Sequence, residues 1–158
     1  MGEINKFKAS ARNKIDMTLL AACFAAFTFL ASNSPEILRE NFFLTFQLVF
    51  AIPLFMNNLF SRIKQAYKDT QYKWNGWGLI SFTLAFGFFI NFLGLLLALF
   101  VSLKLVLIFF SLNIFLALVR FSIHISYEPK RFRDKFIREI FHIALVIFLG
   151  VLPAIKVY

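Results

Sequence analysis

Five long apolar runs, separated by short segments rich in lysine and arginine, constrain this chain of 158 residues more than any other feature. A hydrocarbon core about 30 Å thick needs about 20 helical residues at a rise of 1.5 Å each, and every run has 18 residues or more. We therefore predict an all-α, polytopic integral membrane protein, with residues 1–158 forming a single transmembrane bundle. The predicted helices cover residues 15–32, 42–60, 77–102, 105–126 and 138–157.

The third and fourth helices are predicted to form a tight hairpin at Lys104. Residues 77–119 form a stretch of 43 residues with one charge. A single helix of that length would measure about 65 Å, roughly twice the thickness of the hydrocarbon core. Because no Pro or Gly marks the turn, the sequence places it only to within a few residues of Lys104.

The basic residues alternate between dense and sparse segments along the chain. Fourteen of the seventeen precede the first run or lie between the second and third or the fourth and fifth runs, if Arg120 is counted with the last group. Arg39, Lys104 and Lys156 occupy the remaining segments. Because cytoplasmic loops carry the excess of Lys and Arg, we predict a multi-pass protein of the cell membrane with its N-terminus inside and its C-terminus outside.

The formal charge of +9 follows from the same distribution. A cationic inner rim facing an anionic inner leaflet accounts for it, so the lipid bilayer is the expected partner and nucleic acid is not. The single cysteine, Cys23, excludes disulfides within the chain and a Cys-rich metal site. The first run also resembles a secretory signal, but its length and Pro35 after the small residues favour an uncleaved helix.

Small and polar residues recur at helical spacing inside the runs, which places them on one face of each helix. Such faces allow close helix packing in lipid, and they are alternatively the lining of a polar pathway. The faces comprise Ala21, Ala25, Thr28 and Ser32 on the first helix, Gln47, Ala51, Leu54 and Asn58 on the second, Thr83, Gly87, Asn91, Gly94 and Ala98 on the third, and Asn113, Ala117, Arg120 and His124 on the fourth.

The predicted topology brings several of the polar residues to one depth near the inner surface. An arginine, amides and histidines suit a phosphate, a carboxylate or a lipid headgroup, and histidines also suit proton transfer. Arg120 has two interpretations, an interfacial anchor and a group that points into the bundle. The candidate binding residues are Arg120, His124, Glu139, His142, Asn57 and Asn58, with Asn91 and Asn113 deeper in the helices.

The spacing of Glu139 and His142 also occurs in carboxylate-bridged metal bundles. A di-metal site needs several further inward carboxylates, which the pattern does not supply, so we expect neither a metal nor another cofactor. Ordinary ion pairing and interfacial histidines are the better explanation of these residues, because so many metal ligands are missing.

A basic amphipathic segment is predicted on the inner side at residues 129–140. Phe132, Phe136 and Ile140 recur every four residues after Pro129, and five basic residues surround them. Membrane anchoring explains this pattern, and a docking surface for a partner subunit is the alternative. Pro153 and Pro53 lie inside apolar runs, where a missing N–H frees a backbone carbonyl.

The motifs of soluble enzyme classes are missing from the sequence. It has no GxSxG elbow, no HExxH zinc motif and no glycine-rich phosphate loop. The first functional hypothesis is therefore a small transporter or channel, or a subunit of a membrane complex, that handles a small solute, an ion or a lipid. The alternatives are a membrane-embedded enzyme that modifies lipids or headgroups, and a structural or assembly factor. A homo-oligomer or a larger membrane complex is an open alternative to a single copy.

Overall fold

The computed structural model describes the backbone of residues 2–67, 71–127 and 132–157. Side chains are described for residues 11–64, 77–123, 125–126, 132 and 136–156. Over the described backbone the chain is helical, and no strand occurs in it. The elements are α1 (Gly2–Asn33), α2 (Pro35–Glu40), α3 (Phe42–Tyr67), α4 (Gln71–Phe100), α5 (Leu103–Tyr127), α6 (Phe132–Val146), a π-helical segment (Ile147–Val151) and α7 (Leu152–Val157).

Five of the described helical stretches are long and apolar enough to cross a membrane, as the sequence predicted. The number of spans and the all-α class are therefore confirmed, and the chain is an integral membrane protein. The spans are Ala11–Asn33, Phe42–Lys64, Trp77–Phe100, Leu103–Ile123 and Phe136–Lys156.

Several helices extend beyond their apolar runs. The first helix begins at Gly2 rather than at residue 15, and α3 continues to Tyr67 rather than ending at residue 60. The bilayer fixes the length of an apolar run, but Lys, Arg, Gln and Ala are good helix formers and prolong the helix into the polar region. Pro53 does not break α3, which is continuous through it.

The predicted hairpin is present, slightly earlier than expected. The third span ends with α4 at Phe100, and the fourth span begins with α5 at Leu103. The turn therefore precedes Lys104. Ser102 Oγ accepts a hydrogen bond from the backbone N–H of Leu105 at 3.4 Å. A serine side chain at this position satisfies one of the open N–H groups at a helix start, which explains a turn without Pro or Gly.

The described chain divides into two compact units, Met1–Phe86 and Gly87–Tyr158. In the first unit, α1 packs against α3, and the face of α3 that carries Gln47, Ala51 and Asn58 is buried as predicted. On α1 the predicted face of small residues, from Ala21 to Ser32, is exposed instead. Its buried residues, Asp16, Cys23 and Leu30, are spaced by seven. Spacing alone does not show which of two helical stripes meets a neighbour.

Four residues of the predicted small and polar face of the third span lie in the second unit and are buried: Gly87, Asn91, Gly94 and Ala98. The fifth, Thr83, belongs to the first unit and is half-buried. A Cβ added to Gly94 would lie 2.7 and 2.8 Å from Cε1 and Cε2 of Phe110, so only glycine lets the ring of α5 approach this closely. The packing interpretation of this face is supported by that contact.

The fifth span is not a uniform α-helix. The backbone N–H of Leu152 bonds to the carbonyl of Ile147, five residues back, at the end of the π-helical segment. Pro153 follows directly and has no N–H to donate to the preceding turn. Such π segments occur frequently at functional sites in helices.

The amphipathic segment predicted at residues 129–140 is only partly described. Residues 129–131 lie outside the described residues, and from Phe132 the segment is the first part of α6, continuous with the fifth span. Phe132 and Phe136 lie 6.0 and 5.9 Å from Phe121 of α5 between ring centroids. These aromatic side chains therefore hold the start of α6 against α5.

Candidate functional site

A charged cluster lies where α5 and α6 meet in the second unit. Arg120 Nη2 donates to Glu139 Oε2 at 2.7 Å, and Arg138 Nη2 donates to Glu139 Oε1 at 3.2 Å. Glu139 is 3% exposed, whereas the Arg120 side chain is 47% exposed. Arg120 thus points one guanidinium nitrogen at a buried carboxylate and keeps the rest of its side chain at the surface.

Both sequence interpretations of Arg120 are therefore partly realised. The ion pair with Glu139 directs the guanidinium of Arg120 towards α6. The remaining exposure of the Arg120 side chain is what an interfacial anchor requires. The pair also brings together two of the predicted site residues, which lie 19 positions apart in the chain.

His142 is buried one helical turn beyond Glu139. It is 5% exposed, and both Arg120 and Glu139 act on its charge through space. A Cβ on Gly87 of α4 would lie 3.6 Å from His142 Nδ1, so the imidazole faces the glycine surface of α4. Among the described residues, Arg120 on α5 and Glu139 on its own helix are charged groups near it.

Asn91 of α4 contributes a further polar group, beyond His142 along α6. Its side-chain Nδ2 donates to the backbone carbonyl of Leu145 at 3.1 Å, and it is fully buried. Its Oδ1 lies against Gly150 of the π-helical segment and has no hydrogen-bond partner among the described groups. We call Glu139, His142, the Leu145 carbonyl and Asn91 the polar row.

The first three groups of the polar row lie inside the fifth span along the axis of α6, and Asn91 reaches the Leu145 carbonyl from α4. Glu139, His142 and Leu145 are three residues apart, so successive groups are about 4.5 Å apart along the helix. Two side chains that can gain or lose a proton are followed by a buried amide. Chemically, the row is able to pass a proton or hold a small polar species below the surface.

Three of the predicted candidates, Asn113, Asn57 and Asn58, are not members of the polar row. Asn113 donates to the carbonyl of Phe109 in its own helix at 3.0 Å, so its amide is used locally. Asn57 donates to Ser81 Oγ at 2.7 Å and links α3 to α4 in the first unit. The side chain of His124 lies outside the described residues. That Asn57 and Asn58 share a depth with Arg120 stays a prediction, because they belong to different units.

A second buried cluster, in the first unit, contains residues that the sequence analysis did not select. Asp16 of α1 is 2% exposed and Arg62 of α3 is 4% exposed, and their charges attract through space. Asn58 and Ser61 are buried beside them on α3. We call Asp16, Asn58, Ser61 and Arg62 the Asp16 cluster; of its members only Asn58 was a predicted candidate.

The Asp16 cluster adjoins a cavity of about 270 Å³. The polar side of the cavity is formed by Arg12, Asp16 and Arg62. Its apolar side is formed by Ile15, Leu79 and Phe82. A single ligand in the cavity would therefore contact both charged and apolar side chains.

The sequence contained a signal for this cluster that was not used. Arg12 and Asp16 are four residues apart on α1, as are Asn58 and Arg62 on α3. In the sequence, Arg62 belongs to the basic segment that follows the second run, and Asp16 lies at the start of the first run. Only the packing of α1 on α3 shows that both side chains turn inward.

A metal site has little support in the part of the chain that the structure describes. There, no group of three or more His, Cys, Asp or Glu side chains lies close enough to hold a metal ion. Glu139 instead forms ion pairs with Arg120 and Arg138, and His142 follows it in the polar row.

Comparison with known proteins does not add to this description. No family model, no curated protein and no solved structure matches the chain. The two clusters themselves are therefore the features from which a function can be inferred.

Proposed function

We propose that this membrane protein is a small transporter or channel that conducts or exchanges protons through the polar row. One observation carries the proposal: Glu139 and His142, both buried, lie one helical turn apart inside a membrane span. Ionisable side chains inside a membrane are costly unless they are paired or lie on a path for protons, ions or substrates.

The groups around the polar row support a role in proton transfer. Arg120 is half exposed and touches Glu139, so the row has an end at the protein surface. Glutamate and histidine side chains can each accept and release a proton. Asn91 and the π-helical segment continue the row into the span.

The direct test is proton flux across liposomes that contain the purified protein and an internal pH-sensitive dye. A potassium gradient with valinomycin would supply the driving voltage. We expect flux above that of protein-free liposomes, slowed about tenfold or more by Glu139→Gln and by His142→Gln, because neither replacement relays a proton. Glu139→Asp should restore part of the flux.

A matched control is Arg39→Gln, which changes an exposed residue of the first unit and should leave the flux unchanged. Circular dichroism should show the same helical content for all variants. If wild-type liposomes conduct no more than empty ones, or if both variants conduct like the wild type, the proposal is wrong. Lipid turnover without flux would instead favour the enzyme alternative.

A further inference from the structure

The Asp16 cluster has a composition that helix packing does not require. A carboxylate, a guanidinium, an amide and a hydroxyl are buried together at one end of the α1 and α3 spans. Taking such groups out of water costs several kcal/mol per ion in general, and the cost is recovered only where their hydrogen bonds are satisfied. This cost makes the cluster a candidate binding site.

The described protein leaves several of these polar atoms unsatisfied. Asp16 Oδ2, both amide atoms of Asn58 and the hydroxyl of Ser61 are buried without a hydrogen-bond partner among the described groups. Asn58 lies beside the Asp16 carboxyl, but not in hydrogen-bonding geometry. Native proteins satisfy the large majority of buried polar atoms, so a concentration of exceptions at one place indicates a ligand or bound water.

The cavity beside the cluster defines what such a ligand would be. Two guanidinium groups, Arg12 and Arg62, line it together with a single carboxylate, Asp16. Arginine side chains match the oxygens of a phosphate in charge and geometry. The carboxylate accepts hydrogen bonds but donates none, so it favours a donor group on the same ligand.

We propose that the cavity binds a phosphate group that carries a neighbouring hydrogen-bond donor, an ammonium or a hydroxyl. Arg12 and Arg62 would hold the phosphate, and Asp16 would hold the donor. Ile15, Leu79 and Phe82 would contact the apolar part of the ligand. A phospholipid headgroup and a soluble phosphorylated amine or alcohol share this chemistry. The site is in the first unit and is independent of the polar row.

Phosphatidylethanolamine and phosphatidylcholine make a sharp comparison. Both headgroups are zwitterions with the same net charge, but the quaternary ammonium of choline has no N–H to donate to Asp16. The protein would be reconstituted in vesicles with equal amounts of the two lipids and extracted in mild detergent. Native mass spectrometry would then count the lipids retained by each variant.

We expect the wild type to retain phosphatidylethanolamine over phosphatidylcholine by about tenfold, the effect of one charge-assisted hydrogen bond. Asp16→Asn should remove this preference and still retain phospholipid. Arg62→Gln should lower retention of both lipids. Arg12→Gln, at an exposed position, should do the same and keeps the test valid if the Arg62 variant does not fold. Arg39→Gln is the matched control for surface charge.

A competition arm separates the two sources of the ligand. Displacement of the lipid by soluble phosphoethanolamine would identify a soluble ligand, and resistance to it would identify a lipid; both support the site. Equal retention of the two lipids by the wild type would overturn the proposal. So would an Asp16→Asn variant that keeps the preference, or arginine variants that retain lipid like the wild type.

Discussion

Glu139 illustrates how single residues of this protein carry charge within an apolar span. Each of its two carboxylate oxygens accepts a hydrogen bond from a different arginine, Arg120 and Arg138. A buried carboxylate is tolerated because its charge is compensated there. Removing its partners is therefore more damaging than removing the whole group.

Replacing Arg120 by Leu alone should cost about 1 kcal/mol of unfolding free energy, because Arg120 is half exposed and Arg138 remains on the other oxygen. Replacing both arginines should cost about 3 kcal/mol or more, since the buried carboxylate loses both partners. Adding Glu139→Leu to that double variant should recover much of the loss. Denaturant unfolding in detergent, followed by circular dichroism, measures all three. A triple variant no more stable than the double would contradict this account.

Packing between helices depends on where small residues meet large ones. Gly94 of α4 faces the buried ring of Phe110 on α5, and a Cβ at Gly94 would overlap that ring. In lipid, apolar side chains have no preference for each other over lipid tails, so helix association depends on close van der Waals packing. Small residues such as glycine permit that packing. A glycine is therefore needed at position 94 because of the Phe110 ring on α5, and not because of the backbone conformation of α4.

Gly94→Ala should destabilise the protein by about 1–3 kcal/mol, the usual cost of overpacking a filled interior. Shrinking the partner in a Gly94→Ala, Phe110→Leu double variant should recover part of that loss. Thermal unfolding in detergent would compare the two. Equal stability of Gly94→Ala and the wild type would mean that the helices separate at no cost.

A polar pair contributes to the contact between α3 and α4 in the first unit, beside the ring contact of Phe55 and Phe82. Asn57 donates to Ser81 Oγ at 2.7 Å across the two helices. Hydrogen bonds between membrane helices contribute about 0.6 kcal/mol on average and rarely more than about 1.7. A double-mutant cycle of Asn57→Ala and Ser81→Ala should give a coupling energy in that range, and additive single effects would show that the pair contributes nothing.

At the scale of the whole molecule, the orientation in the membrane is a prediction from the basic residues. Single cysteines in place of Lys14, Lys104 and Lys156 test it, because all three positions are exposed and the native Cys23 is fully buried. A membrane-impermeant maleimide should label intact cells at positions 104 and 156, and at position 14 only after permeabilisation. The wild type is the unlabelled control. The reverse pattern would invert the topology.

Much of the architecture was determined by the sequence alone. Five apolar runs of spanning length dictate five helices, because in hydrocarbon the backbone must satisfy its own hydrogen bonds. The buried face of the third span also followed from helical spacing, and the topology placed Arg120 and Glu139 at one depth, whereas their ion pair appears only in the structure. The predicted features depend on local sequence, or on the requirement for backbone hydrogen bonds that the hydrocarbon imposes on every span.

Only the tertiary structure decided which stripe of each helix is buried. The small residues of α1 are exposed, while Asp16, on another face, is buried against α3 with Arg62. Lipid and protein are both apolar surroundings, so hydrophobicity does not separate the face that meets a helix from the face that meets lipid. Polar side chains such as Asp16, Asn58 and Asn91 take the inward face because lipid cannot satisfy them. Which neighbours they meet there depends on how the helices pack.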